Sequence, residues 1–279
     1  MPTIAEKRRT FRELHETGCF VIPNPWDIGS ARYLQSLGFK ALATTSSGLA
    51  YSLGLPDGAV SLEATLAHMQ SIAEATDIPL NADFGDGLAA DPEGVAANVR
   101  RAVATGVAGI SIEDQIPGTE KLYEHALAVE RVQAAREAVD AAGKDTILVG
   151  RTECYLTRHA EPLKEATRRL VAFAEAGADC LYATGVRSPE DIAALVKAMA
   201  PKPLNVIINW GADLTVADLA ELGVRRISVG GAMNKAAWAG FLAVADDIAA
   251  HDRFSSLSVV QSARHLDAFF ETDAAKRNQ

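Results

Sequence analysis

The chain has 279 residues, of which 48% are hydrophobic, so it is long enough to bury one large core. Its formal net charge is -9, which argues against nucleic acid and anionic membranes as partners because their phosphates would be repelled. Its three cysteines lack CxxC spacing and favour neither a zinc site nor a disulfide framework. Since there is no apolar signal region and no run of about 18 apolar residues, we predict a cytoplasmic protein.

Eight short apolar runs follow one another along the chain and are predicted to be strands. They cover residues 19–24, 40–46, 79–84, 109–114, 146–152, 180–185, 204–209 and 226–231. Amphipathic helical patterns lie between them, for example at 60–76, 92–106, 128–143 and 161–177. Strands alternating with helices at this spacing are typical of parallel βαβ units. Eight such units favour an α/β fold of the (β/α)8 TIM-barrel type, which takes about 250 residues, over an open doubly wound sheet.

A helical tail follows the eighth unit from about residue 250. With the barrel it is predicted to form one domain over residues 1–279. The tail carries apolar side chains that a lone barrel would leave in water, namely Leu257, Val259, Val260, Leu266, Phe269 and Phe270. Burial against a second subunit would cover them, and folding back onto the same barrel is the alternative.

Acidic residues stand where barrel enzymes carry their chemistry, at the carboxyl ends of the strands. The third predicted strand ends in Asp83 and the fourth in Glu113, while Asp57 lies in a turn nearby. Carboxylates that share a partly desolvated cleft repel one another, and a hard divalent cation relieves that repulsion. Oxygen ligands with retained waters suit Mg2+. The alternative is that the charges at the strand ends merely pair with each other at the barrel rim.

Two further strand ends offer groups that bind anions. The fifth predicted strand ends in Arg151, whose planar guanidinium can hold a carboxylate through two nitrogens. The second ends in a run of small residues, 44–48, that includes Ser46. Successive backbone amides in such a run can form a nest for a carboxylate. An ordinary turn is the alternative for this run.

Four segments resemble, in order and spacing, motifs of the isocitrate lyase/phosphoenolpyruvate mutase superfamily. They are NPWDIGSARYLQSLGFKALATTSSGLAYSLGLPDG (24–58), NADFGDGLA (81–89), GISIED (109–114) and LVGRTE (148–153). The resemblance runs from about residue 10 to 235. It implies an enzyme dependent on Mg2+, or alternatively Mn2+, that breaks or forms C–C or C–P bonds next to a 2-oxo or enolpyruvyl carboxylate. It also implies a homotetramer, a dimer of dimers in which the last barrel helix is exchanged between subunits.

The same resemblance implies roles for individual residues. The substrate-binding residues would be Ser46, Ser47, Gly48, Leu49 and Arg151, the metal-site residues Asp57, Asp83 and Glu113, and the catalytic residues Arg151 and Glu113. Asp83 would contact the metal, whereas Asp57 and Glu113 would hold metal-bound waters. Arg151 would grip the departing or migrating group.

The sequence departs from the family pattern in two places. Gly85 stands where the family's D-x-D motif has its second acid, and Asp86 is adjacent. The loop at 115–131 lacks the cysteine of the isocitrate and methylisocitrate lyases. It also lacks an evident mutase-like lysine-asparagine pair, although Lys121 is near. Tyr123 and His125 are polar candidates in this loop, with ordinary loop side chains as the alternative interpretation.

These departures shape the predicted reaction. Decarboxylation of oxaloacetate needs no loop cysteine to break its bond, so a carbon-carbon lyase that leaves a pyruvate enolate is the favoured function. The predicted partner is therefore a small 2-oxo or dicarboxylic acid. Phosphoenolpyruvate mutase or phosphonopyruvate hydrolase-type C–P chemistry is one alternative. A non-catalytic 2-oxo acid binder is another.

Overall fold

All eight predicted strands are present and form one parallel sheet in the order β1-β8-β7-β6-β5-β4-β3-β2. Their bounds are Phe20–Ile22 (β1), Leu42–Ala43 (β2), Leu80–Asp83 (β3), Gly109–Glu113 (β4), Ile147–Thr152 (β5), Cys180–Ala183 (β6), Leu204–Ile207 (β7) and Arg226–Ser228 (β8). Two hydrogen bonds link the chain after β1 to β2 and the residue that follows it, so they join the first and last strands of this order. The Ala43 amide donates to the Pro23 carbonyl over 3.0 Å, and Asn24 Nδ2 donates to the Thr44 carbonyl over 2.9 Å. The sheet is therefore the nearly closed (β/α)8 barrel that was predicted.

The computed structural model describes residues 2–143 and 145–277. The chain divides into two units, Met1–Gly231 and Ala232–Gln279. The helical unit thus begins earlier than the predicted tail at about residue 250, and a single domain over the whole chain stays a prediction. No helix in the described ranges has the length and apolar character needed to span a membrane.

Helices connect the strands of the first unit. Their bounds are Ile4–Glu16 (α1), Ile28–Ser36 (α2), Ser46–Ser52 (α3), Leu62–Ala75 (α4), Pro92–Ala104 (α5), His125–Ala141 (α6), Pro162–Glu175 (α7), Pro189–Met199 (α8) and Val216–Glu221 (α9). The four helices predicted above correspond to α4, α5, α6 and α7, and their ends differ from the predicted ones by at most three residues. Local chemistry sets such ends: α5 begins where Asp91 Oδ1 accepts the Gly94 amide over 2.8 Å, with Pro92 next to the cap.

The barrel core is built from one face of each strand and closed at its amino end by α1. Phe11 of α1 is fully buried in the same cluster as Phe20 and Ile22 of β1. A Cβ at Gly109, the first residue of β4, would lie 2.6 Å from the Phe11 ring. The glycine therefore lets the ring enter between the strand beginnings, so that only the carboxyl ends of the strands stay open. Cys154 and Cys180 are buried.

A polar cluster lies at this closed end. Arg226 of β8 is buried and donates from Nε to Asn205 Oδ1 over 2.8 Å and from NH1 to Asn81 Oδ1 over 3.3 Å. His15 Nε2 lies 3.5 Å from Arg226 NH1. Burial, helped by Arg226, lowers the pKa of His15 to about 3. Asn205 therefore belongs to the closed end of the barrel and not to its mouth.

The second unit is helical, with Ala232–His251 (α10), a 3-10 helix over Ser255–Ala263 and Leu266–Arg277 (α11). Several of its large apolar side chains are exposed within the chain. Phe241 is 59% exposed, Phe254 65% and Val260 53%. Apolar surface gathered in this way on a small helical unit is typical of a region that another surface covers.

Candidate active site

A cavity of about 540 Å3 opens at the carboxyl ends of the strands. It brings together six of the predicted site residues, namely Ser46, Leu49, Asp57, Asp83, Glu113 and Arg151. Ser47 and Gly48 do not line it. Its volume is within the range typical of small-molecule sites.

Arg151 lies at the centre of the acidic residues because of the strand register. Glu113 is paired with Arg151 across β4 and β5, and β3 ends in Asp83 one strand further on. Arg151 NH1 lies 3.2 Å from Asp83 Oδ1 and 3.1 Å from Glu113 Oε2. Arg151 Nε donates to Glu153 Oε1 and, over 2.8 Å, to Thr184 Oγ1. One guanidinium is thus shared by three carboxylates.

The electrostatics follow from this crowding. The pKa of Glu113 is raised to about 8, mainly by burial; Arg151 opposes this rise, and the Glu153 and Asp83 carboxylates add to it. Burial alone would lower the pKa of Arg151, but the same carboxylates hold it well above its ordinary value. The cavity therefore has an excess of negative charge that one guanidinium does not neutralise.

The loop after β2 holds Asp83. The Ser46 amide donates to Asp83 Oδ2 over 3.0 Å, and Thr44 Oγ1 accepts the Asp83 amide over 2.8 Å. Thr45 caps α3, its Oγ1 accepting the Gly48 amide over 3.4 Å. The predicted nest for a substrate carboxylate is thus partly occupied by protein acceptors, because these amides cap a helix and fix a neighbouring side chain.

The loop after β4 folds as a small hairpin over residues 115–122. Gln115 and Leu122 form an antiparallel bridge, and residues 117–120 line the cavity. The hairpin is anchored by Tyr123, whose side chain is buried and whose hydroxyl donates to Asp86 Oδ2 over 2.9 Å. The Arg131 guanidinium lies over the Tyr123 ring at 4.0 Å and pairs with Asp86. Tyr123 and Asp86 therefore bind each other and hold the loops together.

Comparison with known proteins identifies the family. The model of phosphoenolpyruvate phosphomutase matches residues 11–249. The chain belongs to the isocitrate lyase/phosphoenolpyruvate mutase superfamily. Members of this superfamily are lyases and mutases, so the chain is an enzyme.

Individual superfamily members show how far the likeness extends. Oxaloacetate decarboxylase of Paraburkholderia xenovorans is 30% identical over 236 residues, which cover 80% of this chain and 74% of the relative. The crystal structure of a Burkholderia cenocepacia protein described as a lyase/mutase is 39% identical, covers 96% of this chain and 97% of its own, and has a TM-score of 0.91. Oxaloacetate acetylhydrolase in complex with its product oxalate is 28% identical, covers 96% and 99%, and has a TM-score of 0.81.

Superfamily members generally depend on a divalent metal, and the cavity offers oxygen ligands for one. Within residues 2–143 and 145–277, no three His, Cys, Asp or Glu side chains are grouped to hold an ion by themselves. Mg2+ commonly uses one or two carboxylates and keeps several waters. Asp83 and Glu113 supply such oxygens, Asp57 lines the same cavity, and Glu153 Oε2 is buried without a hydrogen-bond partner. These oxygens fit a hydrated Mg2+. In this structure Asp83, Glu113 and Glu153 pair with Arg151, which is the pairing of charges at the rim that the sequence left open as an alternative.

Gly85, which replaces the second acid of the superfamily motif, has a backbone role. Its φ is +53°, in the left-handed region that favours glycine, and its carbonyl accepts the Glu113 amide over 2.9 Å. The residue thus helps to place the end of β4. Asp86 does not substitute for the missing acid because its carboxylate contacts Tyr123 and Arg131.

The sequence places Glu153 beside Arg151 at the end of the fifth predicted strand, but sequence reasoning gave it no role and did not identify His68 as a cavity residue. A signal for Glu153 exists, because residues two apart on a strand face the same side, and Arg151 is already a candidate. His68 lies on α4, and its buried Nε2 has no hydrogen-bond partner. Burial lowers the pKa of His68, which favours its neutral form. No motif distinguishes this helical histidine from its neighbours.

Proposed function

We propose that the enzyme is a Mg2+-dependent lyase that breaks the C3–C4 bond of oxaloacetate or a related 2-oxo dicarboxylate, releasing CO2 and leaving pyruvate as its enolate. The observation that carries this proposal is the set of three carboxylates around Arg151 at the cavity. Negative excess suits a divalent cation, and the guanidinium suits an anionic substrate. The 30% identity to an oxaloacetate decarboxylase supports this choice of substrate.

Each residue has a proposed task. Asp83 would contact the ion, and Asp57 and Glu113 would hold its waters. When bound, Mg2+ would supply Lewis-acid stabilisation of the negative charge that develops on the 2-oxo oxygen. Leu49 and Phe84, apolar and buried where they line the cavity, limit the water around the reacting carbon.

Arg151 would orient the carboxylate that departs. Its Nε and NH1 already contact protein acceptors, which leaves NH2 for the substrate. A two-nitrogen grip on a carboxylate that is about to lose its charge would stabilise the ground state more than the transition state. A single contact therefore suits decarboxylation better than the bidentate grip.

C–P bond chemistry on phosphonopyruvate or phosphoenolpyruvate is the second candidate. It is favoured by the match of the phosphoenolpyruvate phosphomutase model to residues 11–249. The same acids and Arg151 suit the phosphonate, which is also an anion next to a 2-oxo acid.

A steady-state assay separates these candidates. The purified enzyme is given oxaloacetate, phosphonopyruvate or 2-methylisocitrate with Mg2+, with Mn2+ or with excess chelator. We expect oxaloacetate to be consumed fastest, activity to vanish with chelator and Mg2+ or Mn2+ to restore it. Asp83→Ala is the matched blank, since free Mg2+ itself assists loss of CO2. Full activity in chelator would contradict the metal proposal, and turnover of phosphonopyruvate alone would favour C–P chemistry.

We further propose that the helical unit 232–279 is covered by another subunit, in a homotetramer built as a dimer of dimers. Its exposed aromatic and aliphatic side chains, including Phe241 and Phe254, support this assembly. Light scattering at micromolar concentration tests it, and a species near 29.5 kDa would refute subunit exchange. A cytoplasmic location stays a prediction.

A further inference from the structure

Glu153 lies behind Arg151 and is almost completely buried, with 1% of its side chain exposed. Its Oε1 accepts a hydrogen bond from Arg151 Nε, whereas its Oε2 is buried and has no hydrogen-bond partner. A buried polar atom left without a partner costs about 1–3 kcal/mol. A carboxylate kept at such a position points to a task other than stability.

Glu153 is fixed from its other side by a buried acid. The Glu153 amide donates to Asp114 Oδ1 over 3.0 Å. Asp114 Oδ2 accepts from Thr152 Oγ1 over 2.7 Å and from Arg169 NH1 over 3.2 Å. Since Asp114 and Arg169 are themselves buried, the backbone that carries Glu153 has little freedom to shift.

The Arg151 guanidinium is contacted by acceptors on two sides. Asp83 and Glu113 contact NH1, while Glu153 contacts Nε together with Thr184 Oγ1 at 2.8 Å. Without the Glu153 charge, two carboxylates on one side would face only a hydroxyl on the other. The guanidinium would then turn towards Asp83 and Glu113, and NH2 would turn with it.

We propose that Glu153 is a positioning residue that fixes the rotation of the Arg151 guanidinium and so keeps NH2 directed at the substrate. The proposal rests on the proposed function in that Arg151 contacts the substrate carboxylate. Thr184 Oγ1 accepts a hydrogen bond from the same nitrogen, Nε, but carries no charge. Asp114 holds Glu153 in place through the hydrogen bond from the Glu153 amide.

Nuclear magnetic resonance of the 15N-arginine-labelled enzyme tests the contact without any turnover. The Arg151 Nε–H signal is assigned by its absence in Arg151→Lys. In the wild-type enzyme we expect a downfield proton shift and slow exchange with water, as a buried charge-assisted hydrogen bond gives. Glu153→Gln should move this signal upfield and speed its exchange. Glu161→Gln, which removes an exposed acid paired with Lys164, is the control and should leave it unchanged. An unmoved signal in Glu153→Gln would overturn the proposal.

A double-mutant cycle then tests the functional consequence. Glu153→Gln should lower kcat/KM for oxaloacetate by about 100-fold, the effect of displacing a substrate-orienting group by about an ångström. In an Arg151→Lys background the same change should cost less than about threefold, because the group that it positions is already gone. Equal losses in both backgrounds would show that Glu153 acts independently of Arg151. A wild-type enzyme that leaves oxaloacetate untouched would contradict the proposed function, and the resonance experiment would still decide the role of Glu153.

Discussion

The two ends of the barrel each hold an arginine, but in opposite surroundings: Arg226 is buried, and Arg151 keeps 18% of its side chain exposed. At the open end Arg151 is shared by Asp83, Glu113 and Glu153. At the closed end Arg226 contacts only the neutral acceptors Asn205 and Asn81 and the ring of His15, and no carboxylate in the described part of the chain pairs with it. Burial lowers the pKa of Arg226, whereas the carboxylates hold that of Arg151 well above its usual value.

This difference in charge means that the open end can bind a cation and an anionic substrate, whereas the closed end can only support the fold. A surplus of carboxylate at the open end leaves attraction for a cation, and the crowded guanidinium gives an anionic substrate a fixed donor. At the closed end Arg226 has no counter-ion among the described residues and would repel a metal ion. The amide dipoles of Asn205 and Asn81 stabilise its charge instead, and any further positive charge there is unfavourable.

The largest effect is expected at the open end. Arg151→Lys should lower kcat/KM by about 100-fold or more, because an ammonium cannot contact Glu153, Thr184 and the acids at NH1 and still present a nitrogen to the substrate. The unfolding midpoint should stay close to that of the wild-type enzyme. Wild-type kinetics in this variant would show that Arg151 only pairs with acids at the rim.

Asp57 and Asp83 provide a graded comparison at the same end. Asp83→Ala should lose more activity than Asp57→Ala, since Asp83 is fixed by the Ser46 amide and contacts Arg151, whereas Asp57 is exposed. Activity titrated against Mg2+ concentration measures both. An equal loss in the two variants would contradict the ranking.

The pH dependence of stability should report the closed end. The pKa of His15 falls from its ordinary 6.5 to about 3 in the folded chain, first because of burial and then because of Arg226. Above 6.5 both states keep the ring neutral, so stability is unaffected. As pH falls below 6.5, only the unfolded chain binds the proton, and the free energy of unfolding drops by up to about 1.4 kcal/mol per pH unit until pH nears 3.

Urea unfolding at several pH values between neutral and mildly acidic measures this slope. His15→Gln, which keeps a hydrogen-bonding side chain, should make the decline shallower than in the wild-type chain. Equal slopes in the two proteins would mean that acid sensitivity comes from other groups.

The smallest expected effect isolates Arg226 itself. Arg226→Met removes the buried cation beside His15, so the pKa of His15 should rise towards its usual value and part of the acid sensitivity should be lost. Only part is expected because burial is the larger cause. Titration of the His15 ring by nuclear magnetic resonance checks the direction, and an unchanged or lower pKa would contradict it.

Topology explains why so much of the architecture was predictable. Apolar runs alternating with helical patterns predicted all eight strands, and the barrel then placed Asp83, Glu113 and Arg151 at one end because parallel strands all finish there. The position of charged residues after the apolar runs identifies which strand ends carry charge. This identification does not require knowing which hydrogen-bond or ion-pair partners the side chains have.

That choice of partner is what sequence reasoning could not supply. Tyr123 contacts Asp86, 37 positions away, and the Ser46 amide contacts Asp83 instead of remaining open for substrate. Each outcome is a competition between several donors and acceptors within a few ångströms. Small differences in loop geometry decide such competitions, and spacing along the chain carries no information about them.

The hairpin over residues 115–122 lines the cavity entrance, and its sequence can change independently of the rest of the site. Buried Tyr123 fixes one end of the hairpin, and β4 fixes the other. Between them, residues 117–120 face the cavity without contributing to the barrel core. Sequence drift or laboratory exchange at these four positions can alter which acid is admitted while the charged centre beneath stays intact, so new specificity can evolve on this scaffold without a matching loss of foldability.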